Sequence, residues 1–152
     1  MQKINLSIKK FNKRCINKNY LSWINDKKLM KHSRHAKINY NLKTAIAFHE
    51  KIVNEGNFFF KICYNFKMIG TVIVYKKKIP NVSILVGDNS YRGKGLAYAV
   101  LKKVFTYLKT KKIKRVEIGC NKNNFKMLKI VKRLKFFKYK IENNHIYFIK
   151  NI

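Results

Sequence analysis

Alternating or densely β-branched and aromatic runs mark out strands along this chain, and apolar residues recurring every three or four positions mark out helices. Ile4-Asn5-Leu6-Ser7-Ile8 alternates and predicts a first strand. Asn17 to Asn25 carries Tyr20, Leu21, Trp23 and Ile24 and predicts a short helix, with Asp26 or a neighbour capping a further turn through Leu29 and Met30. Lys31 to Tyr40 has no period and reads as a loop. Leu42 to Asn54 sets Leu42, Ala45, Ile46, His49, Ile52 and Val53 on one helical face, and Gly56 ends it. His49, on that apolar stripe, reads as a packed, hydrogen-bonded residue at the edge of the core. Phe58–Tyr64 and Met68–Tyr75 are strand-like, joined as a hairpin through Asn65-Phe66-Lys67, and Gly70 suggests a bulge.

Lys76-Lys77-Lys78-Ile79-Pro80 is a basic turn, and Asn81 to Val86 a third strand of this group. Gly87 to Ser90 is turn chemistry, and from Leu96 a helical period runs through Ala97, Val100, Leu101, Val104 and Leu108. Arg115 to Cys120 is a further strand, so this part reads strand, helix, strand, the pattern of a parallel crossover. Met127, Leu128, Val131 and Leu134 form a helical stripe after the polar Asn121–Asn124. Phe136–Ile141 and His145–Ile149 close the chain as strands joined at Glu142-Asn143-Asn144. There is no internal repeat and no linker, which predicts one domain over 1–152.

The chemistry concentrates between the strand Asn81–Val86 and the helix at Leu96. Gly93 and Gly95 let a ligand approach the backbone. The helix start supplies unpaired N–H groups and the positive end of its dipole. Arg92 and Lys94 add charge, making a cradle for a phosphate or pyrophosphate. A Walker loop, G-x-x-x-x-G-K-S/T, does not fit, because Gly87 lies one residue too far from Gly93-Lys94 and Gly95 stands where Ser or Thr would hold magnesium. A dinucleotide fingerprint, G-x-G-x-x-G, begins at Gly93 but meets Tyr98 at its third glycine. The remaining pattern, R-x-x-G-x-A, is met by Arg92, Gly95 and Ala97.

That pattern resembles the pyrophosphate loop of the GNAT N-acetyltransferase superfamily, Q/R-x-x-G-x-G/A. Asn124 to Phe136 is similar to the family's N-x-x-A-x-x-L-Y-x-K-x-G-F segment. Tyr20 to Ser33 is similar to the openings of members acting on sugars or ribosomal-protein amines. The order β–α–α–β–β–β–α–β–α–β–β matches the family over nearly the whole chain. The resemblance implies an α/β (α+β) fold, a mixed sheet of about six to seven strands flanked by about four helices. It implies acetyl-CoA as co-substrate, no metal, and transfer of the acetyl group to a primary amine of a small molecule or protein by direct attack. On that basis Leu85 and Val86 offer backbone groups to pantetheine, Arg92, Gly93, Lys94, Gly95, Leu96 and Ala97 cradle the pyrophosphate, Asn124 reaches the pantetheine arm, and an N–H near Val86 faces the developing oxyanion. Arg34 and His35 fall in the loop that borders the acceptor in the family, where Arg34 suits a carboxylate or phosphate.

Three family positions depart from the pattern. Val131 stands where a general-acid tyrosine is common, and Asn81 where a strand glutamate often assists deprotonation. Lys135 replaces the glycine before the terminal Phe136 of that segment. The catalytic groups are therefore unassigned: water takes the proton, His35, His145 or Cys120 has taken over, or catalysis has decayed while CoA binding persists.

Charge adds a second class of partner. Lys and Arg number 36 against 6 acids, a net charge of +30. This favours an anionic acceptor such as a nucleotide-linked amino sugar, and makes a basic nucleic-acid-binding protein on the same fold the alternative reading. The lysines are spread along the chain, and neither an aromatic RNA-reading signature nor a helix-turn-helix is present, which ranks nucleic acid second. AT-rich coding accounts for abundant Lys, Asn, Ile, Tyr and Phe but not for the scarcity of Glu. Hydrophobic content of 47% and aromatic content of 14% support a packed core. Cys15, Cys63 and Cys120 have no metal or disulfide spacing, which suggests a reducing, cytoplasmic setting, and Cys120 reads as packing. No run predicts a signal peptide or membrane span. Monomer and homodimer are both open.

Overall fold

A computed structural model describes residues 3–152. Seven strands form one sheet in the order β1-β2-β3-β4-β5-β7-β6. They are β1 (Leu6–Lys10), β2 (Phe58–Tyr64), β3 (Lys67–Tyr75), β4 (Asn81–Val86), β5 (Arg115–Asn121), β6 (Phe137–Glu142) and β7 (His145–Asn151). All neighbours run antiparallel except β4 and β5, which are parallel. The four helices are α1 (Lys18–Ile24), α2 (Leu42–Asn54), α3 (Leu96–Thr110) and α4 (Phe125–Arg133). The observed fold is the α/β architecture expected from the element order. The first strand lies at Leu6–Lys10 rather than 4–8, because its pairing runs from Leu6 against Tyr64 to Lys10 against Phe60.

Adjacent strand residues point to opposite faces, and so build two cores. Phe60, Ile62, Val72, Val74, Val82, Val116 and Ile118 meet Val100, Leu101, Val104, Phe105 and Leu108 of α3 and Val131 of α4. Phe59, on the other face, joins Phe11, Tyr20, Trp23, Ile24, Ala45 and Ile52 around α1 and α2. His49 belongs to this second core: its ring lies 5.4 Å from Phe11 and 5.5 Å from Phe59, and its Nε2 is 3.2 Å from the Phe11 carbonyl oxygen. Asn17, Asn41 and Asn124 cap α1, α2 and α4 through their side chains.

The β2–β3 hairpin turns on Asn65 and Phe66, both at positive φ (45° and 71°). Its register slips between Ile62 and Cys63, so Ile69 is the extra residue beside Gly70. The Ile69 carbonyl then accepts from Gly87 N–H at 2.9 Å and Asp88 N–H at 3.0 Å, ending β4 and turning the chain towards α3. A Cβ at Gly70 would sit 2.1 Å from the Leu85 carbonyl oxygen, and one at Gly87 2.1 Å from the Trp23 ring. Both glycines let chain segments close on the end of β4. Gly70→Ala should therefore cost about 2 kcal/mol or more by overpacking. For a chain of this size that lowers the melting temperature by roughly 4–8 °C. A melting curve matching wild type would show that β3 and β4 do not approach as described.

Candidate active site

β4 is paired with β3 along its whole length, and β5 with β7 along its whole length. Between β4 and β5 only Asn81 and Glu117 are in register. Glu117 N–H donates to the Pro80 carbonyl at 2.8 Å. Beyond this point the two parallel strands separate, opening a wedge towards Val86 and Asn121. Backbone direction alternates along a strand, so the Pro80 bond fixes which residues of β4 face the wedge: Ile84 and Val86 direct main-chain groups into it. Leu85, opposite Thr71, directs its own to β3. Of the two residues expected to offer backbone groups, only Val86 is so placed, and Ile84 joins it.

The loop at the wide end runs from the end of β4 to the start of α3. Gly93 and Gly95 adopt positive φ, 74° and 72°. Gly95 is the N-cap of α3 and supplies no side-chain cap. Among the described residues, the N–H groups of Gly93, Lys94, Gly95, Leu96 and Ala97 have no hydrogen-bond partner. Such orphan donors at a helix start favour an anion. Arg92 Nε is buried without a partner. The preceding turn is pinned by Asp88, whose Oδ1 accepts from Ser90 N–H at 3.0 Å and whose Oδ2 pairs with Lys67 at 3.2 Å. These contacts outweigh burial and hold its carboxyl below the usual range. Lys67 and Lys94 both rest on the Tyr91 ring. A cavity of about 400 Å³ beside Arg92 is lined by Asn19, Trp23, Asp26 and Gly87, among others. Across the wedge, Asn124 caps α4: its Oδ1 accepts from Met127 N–H at 3.3 Å.

On the α1–α2 face, one polar cluster stands where the strands part. Glu117 is buried, and its Oε1 accepts from Asn81 Nδ2 at 2.7 Å. Its Oε2 accepts from the Tyr139 hydroxyl, two strands away. A bulge in β6 makes that reach possible. Lys138 pairs with Phe148 and Lys140 with Tyr147, leaving Tyr139 as the extra residue and turning it to the same face as Lys140. Lys140 Nζ lies 4.7 Å from the centre of the Tyr147 ring, and the Arg34 guanidinium 5.7 Å from it. Gly119 makes room for that ring, since a Cβ there would be 2.7 Å from Tyr147 Cε1.

The loop carrying Arg34 and His35 is clamped by Asn25, which accepts from Tyr40 N–H at 2.7 Å and donates to the Tyr40 carbonyl at 2.8 Å. His35 Nδ1 is 3.4 Å from the Tyr40 hydroxyl. Burial and the Arg34 charge lower the His35 pKa, favouring the neutral ring. Burial pushes the Cys120 thiol up to about 11, so it offers no thiolate at neutral pH. His145 lies at the β6–β7 turn, opposite Asn121. Among the described residues, no three His, Cys, Asp or Glu side chains gather where they could hold a metal ion, and no helix is long and apolar enough to cross a membrane.

Residues 11–136, more than half of the chain, match the family model described as "Acetyltransferase (GNAT) domain". The chain belongs to the GNAT acetyltransferase family. It is accordingly an N-acetyltransferase with acetyl-CoA as co-substrate. Solved structures similar to this GNAT domain include an N-acetyltransferase from Staphylococcus aureus Mu50, with TM-score 0.79 and 20% identity over 97% of this chain and 98% of that one. The ribosomal L7/L12 α-N-protein acetyltransferase RimL, in complex with coenzyme A, has TM-score 0.84 and 14% identity over 97% and 94%. The microcin C7 self-immunity acetyltransferase MccE, in complex with acetyl-CoA and AMP, has TM-score 0.76 and 20% identity over 97% and 92%. No protein of curated function matches the chain significantly.

Within this GNAT domain, the position often held by a general-acid tyrosine is Val131, fully inside the core. The carboxylate absent at Asn81 is present one strand over, at Glu117, with Asn81 bonded to it. Sequence reading missed Glu117, Tyr139, Lys140 and Tyr147. A signal for the first was available: Glu117 is the one acid in the otherwise apolar core of R-V-E-I-G-C.

Partial burial and the bond to Glu117 push the Tyr139 hydroxyl up to about 12. Because that lies above the unfolded value of about 10, the pair's contribution to stability is complete below about pH 10 and is lost as pH rises through about 12. A wild-type minus Tyr139→Phe difference titration in the ultraviolet should show a phenol ionising near 12. One ionising near 10 would mean that Tyr139 and Glu117 do not touch.

Proposed function

We propose that Glu117 is the general base of an acetyl transfer from acetyl-CoA to a primary amine, and that the acceptor carries an anionic group. The observation that carries this reading is the Asn81–Glu117–Tyr139 cluster at the point where β4 and β5 separate. The free N–H groups of Gly93 to Ala97, with Arg92, suit the pyrophosphate of CoA. Main-chain groups of Val86 and Ile84 suit the pantetheine amides, and an N–H at Val86 would face developing negative charge at the acetyl oxygen. Asn124, its carboxamide oxygen spent on the cap, has its NH₂ left for the pantetheine arm. Bound there, acetyl-CoA supplies an acetyl group activated as a thioester.

Glu117 would accept the proton that an ammonium must lose before its nitrogen can attack. Asn81 and Tyr139 each donate to one of its oxygens, fixing the carboxylate plane. Both donors leave lone pairs on the oxygens for the amine. Arg34 and Lys140 bracket Tyr147 near this carboxylate, and because Lys140 also pairs with Glu142 at 3.5 Å, Arg34 is the cation offered to an anionic group on the acceptor. An acceptor bearing phosphate or carboxylate as well as an amine matches both charges. Surrounding positive charge also lowers the amine pKa, raising its neutral fraction.

Turnover of acetyl-CoA, followed by thiol release against a panel of amines, tests this directly. Anionic amines, nucleotide-linked amino sugars among them, should be preferred over neutral analogues, and the rate should rise with pH between about 6 and 9 as the amine deprotonates. Glu117→Gln should lower kcat about 10²–10³-fold with acetyl-CoA affinity unchanged. Full activity in Glu117→Gln would remove Glu117 from the mechanism, and a flat pH profile would mean that amine deprotonation does not limit the reaction.

A further inference from the structure

We propose that the end of the sheet opposite the cofactor loop binds the phosphate backbone of a nucleic acid, at a site distinct from the acetyl-CoA loop. Two basic connections meet there. The β3–β4 turn carries Lys76, Lys77 and Lys78, and the α3–β5 turn carries Lys111, Lys112 and Lys114, followed by Arg115. The Asn81–Glu117 register and the Glu117–Pro80 bond hold the two turns side by side. The end of β7 completes the floor, with Ile152 N–H donating to the Lys114 carbonyl at 2.9 Å. The result is an open groove of about 940 Å³ lined by Lys78, Ile79, Lys114, Arg115, Asn151 and Ile152.

All seven cations are exposed, and none takes part in an ion pair among the described residues. Neither turn contains an acid. The carboxylate nearest along the chain, Glu117, is buried and spent on Asn81 and Tyr139. Several cations are also preorganised. Arg115 Nε donates to Asn151 Oδ1 at 3.2 Å, Lys76 lies 4.4 Å from the Phe58 ring centre, and Lys111 lies 5.5 Å from that of Tyr107. Seven cations without an ion pair outweigh the exposed Glu55 near Tyr75 at this end, and favour a partner of regularly spaced negative charge.

The groove is separate from the acetyl-CoA loop. α3 runs between them, and its 15 residues span about 22 Å at 1.5 Å each. A single cofactor phosphate group cannot serve both ends. An anionic membrane is the poorer match, because surface binding there needs apolar side chains to insert beside the cations. The large exposed hydrophobics, such as Phe66, Phe125, Phe137 and Ile141, all lie outside these two turns. Among the described residues, no helix or ribbon projects from this end to enter a groove and read bases, so binding should be to the backbone and independent of sequence.

Fluorescence anisotropy with a labelled duplex RNA over a salt series tests the site. Wild type should bind with affinity falling steeply in salt. Lys77→Gln, Lys78→Gln and Lys114→Gln together should reduce the log–log salt slope by about 2 to 3. A control with equal charge removed from α4, Lys126→Gln, Lys129→Gln and Lys132→Gln, should change it by less than about 1. The three groove residues are exposed and outside the acetyl-transfer machinery, so that variant should melt as wild type does and keep its acetyl-CoA turnover. Equal losses in both variants, an unchanged slope in the groove variant, no RNA binding by wild type, or binding to phosphatidylserine vesicles in place of RNA would each overturn the proposal.

Discussion

A parallel pair of strands that separates after a single bridge leaves main-chain donors and acceptors without partners in the middle of a sheet. Such groups are costly to bury unsatisfied. β4 and β5 cannot close the gap themselves, because each is fully paired on its outer edge, to β3 and β7. The free edges of the wedge therefore form a ready hydrogen-bonding surface for an extended amide-bearing ligand. The loop beyond β4 adds the complementary end, five N–H groups without partners at the start of α3. A molecule with amides along one part and a pyrophosphate at the other fits both, and this is the outline of the co-substrate used by the family.

The geometry around that wedge is held by two irregularities and a few small residues. The extra residue Ile69 in β3 supplies the carbonyl that stops β4 at Gly87 and Asp88. The extra residue Tyr139 in β6 brings a hydroxyl across β7 to Glu117. Gly70, Gly87 and Gly119 each admit a neighbour where a Cβ would collide: the β4 backbone, Trp23 and Tyr147. Bulges and glycines thus do here what loops do in many enzymes, aiming side chains from rigid strands into the reaction space.

Most of the architecture was legible in the sequence because each element carries a strong local signal. The stripe from Ala97 to Leu108, the strand runs at 58–64 and 81–86, and the turn residues around Gly93 and Gly95 all appear where the pattern placed them. The polar cluster at the strand separation was not legible, for a physical reason. Asn81, Glu117 and Tyr139 lie on β4, β5 and β6, far apart along the chain, and their meeting depends on sheet order, with β7 set between β5 and β6, and on one inserted residue in β6. Neither is a property of a local window. The same holds for Leu85, whose backbone direction follows from the Pro80–Glu117 bond rather than from its own identity. The basic groove, likewise, is two ordinary lysine-rich turns until the parallel crossover sets them together.

The most direct test is an amide-resolved NMR titration with coenzyme A. If the wedge and the adjoining loop hold the co-substrate, the N–H resonances of Gly93 to Ala97 and of Val86 should shift on binding and become protected from exchange, while those of Lys76 to Lys78 and Lys111 to Lys114 stay in place. Unmoved resonances at Gly93 to Ala97 in the presence of saturating coenzyme A, or shifts confined to the opposite end of the sheet, would contradict it.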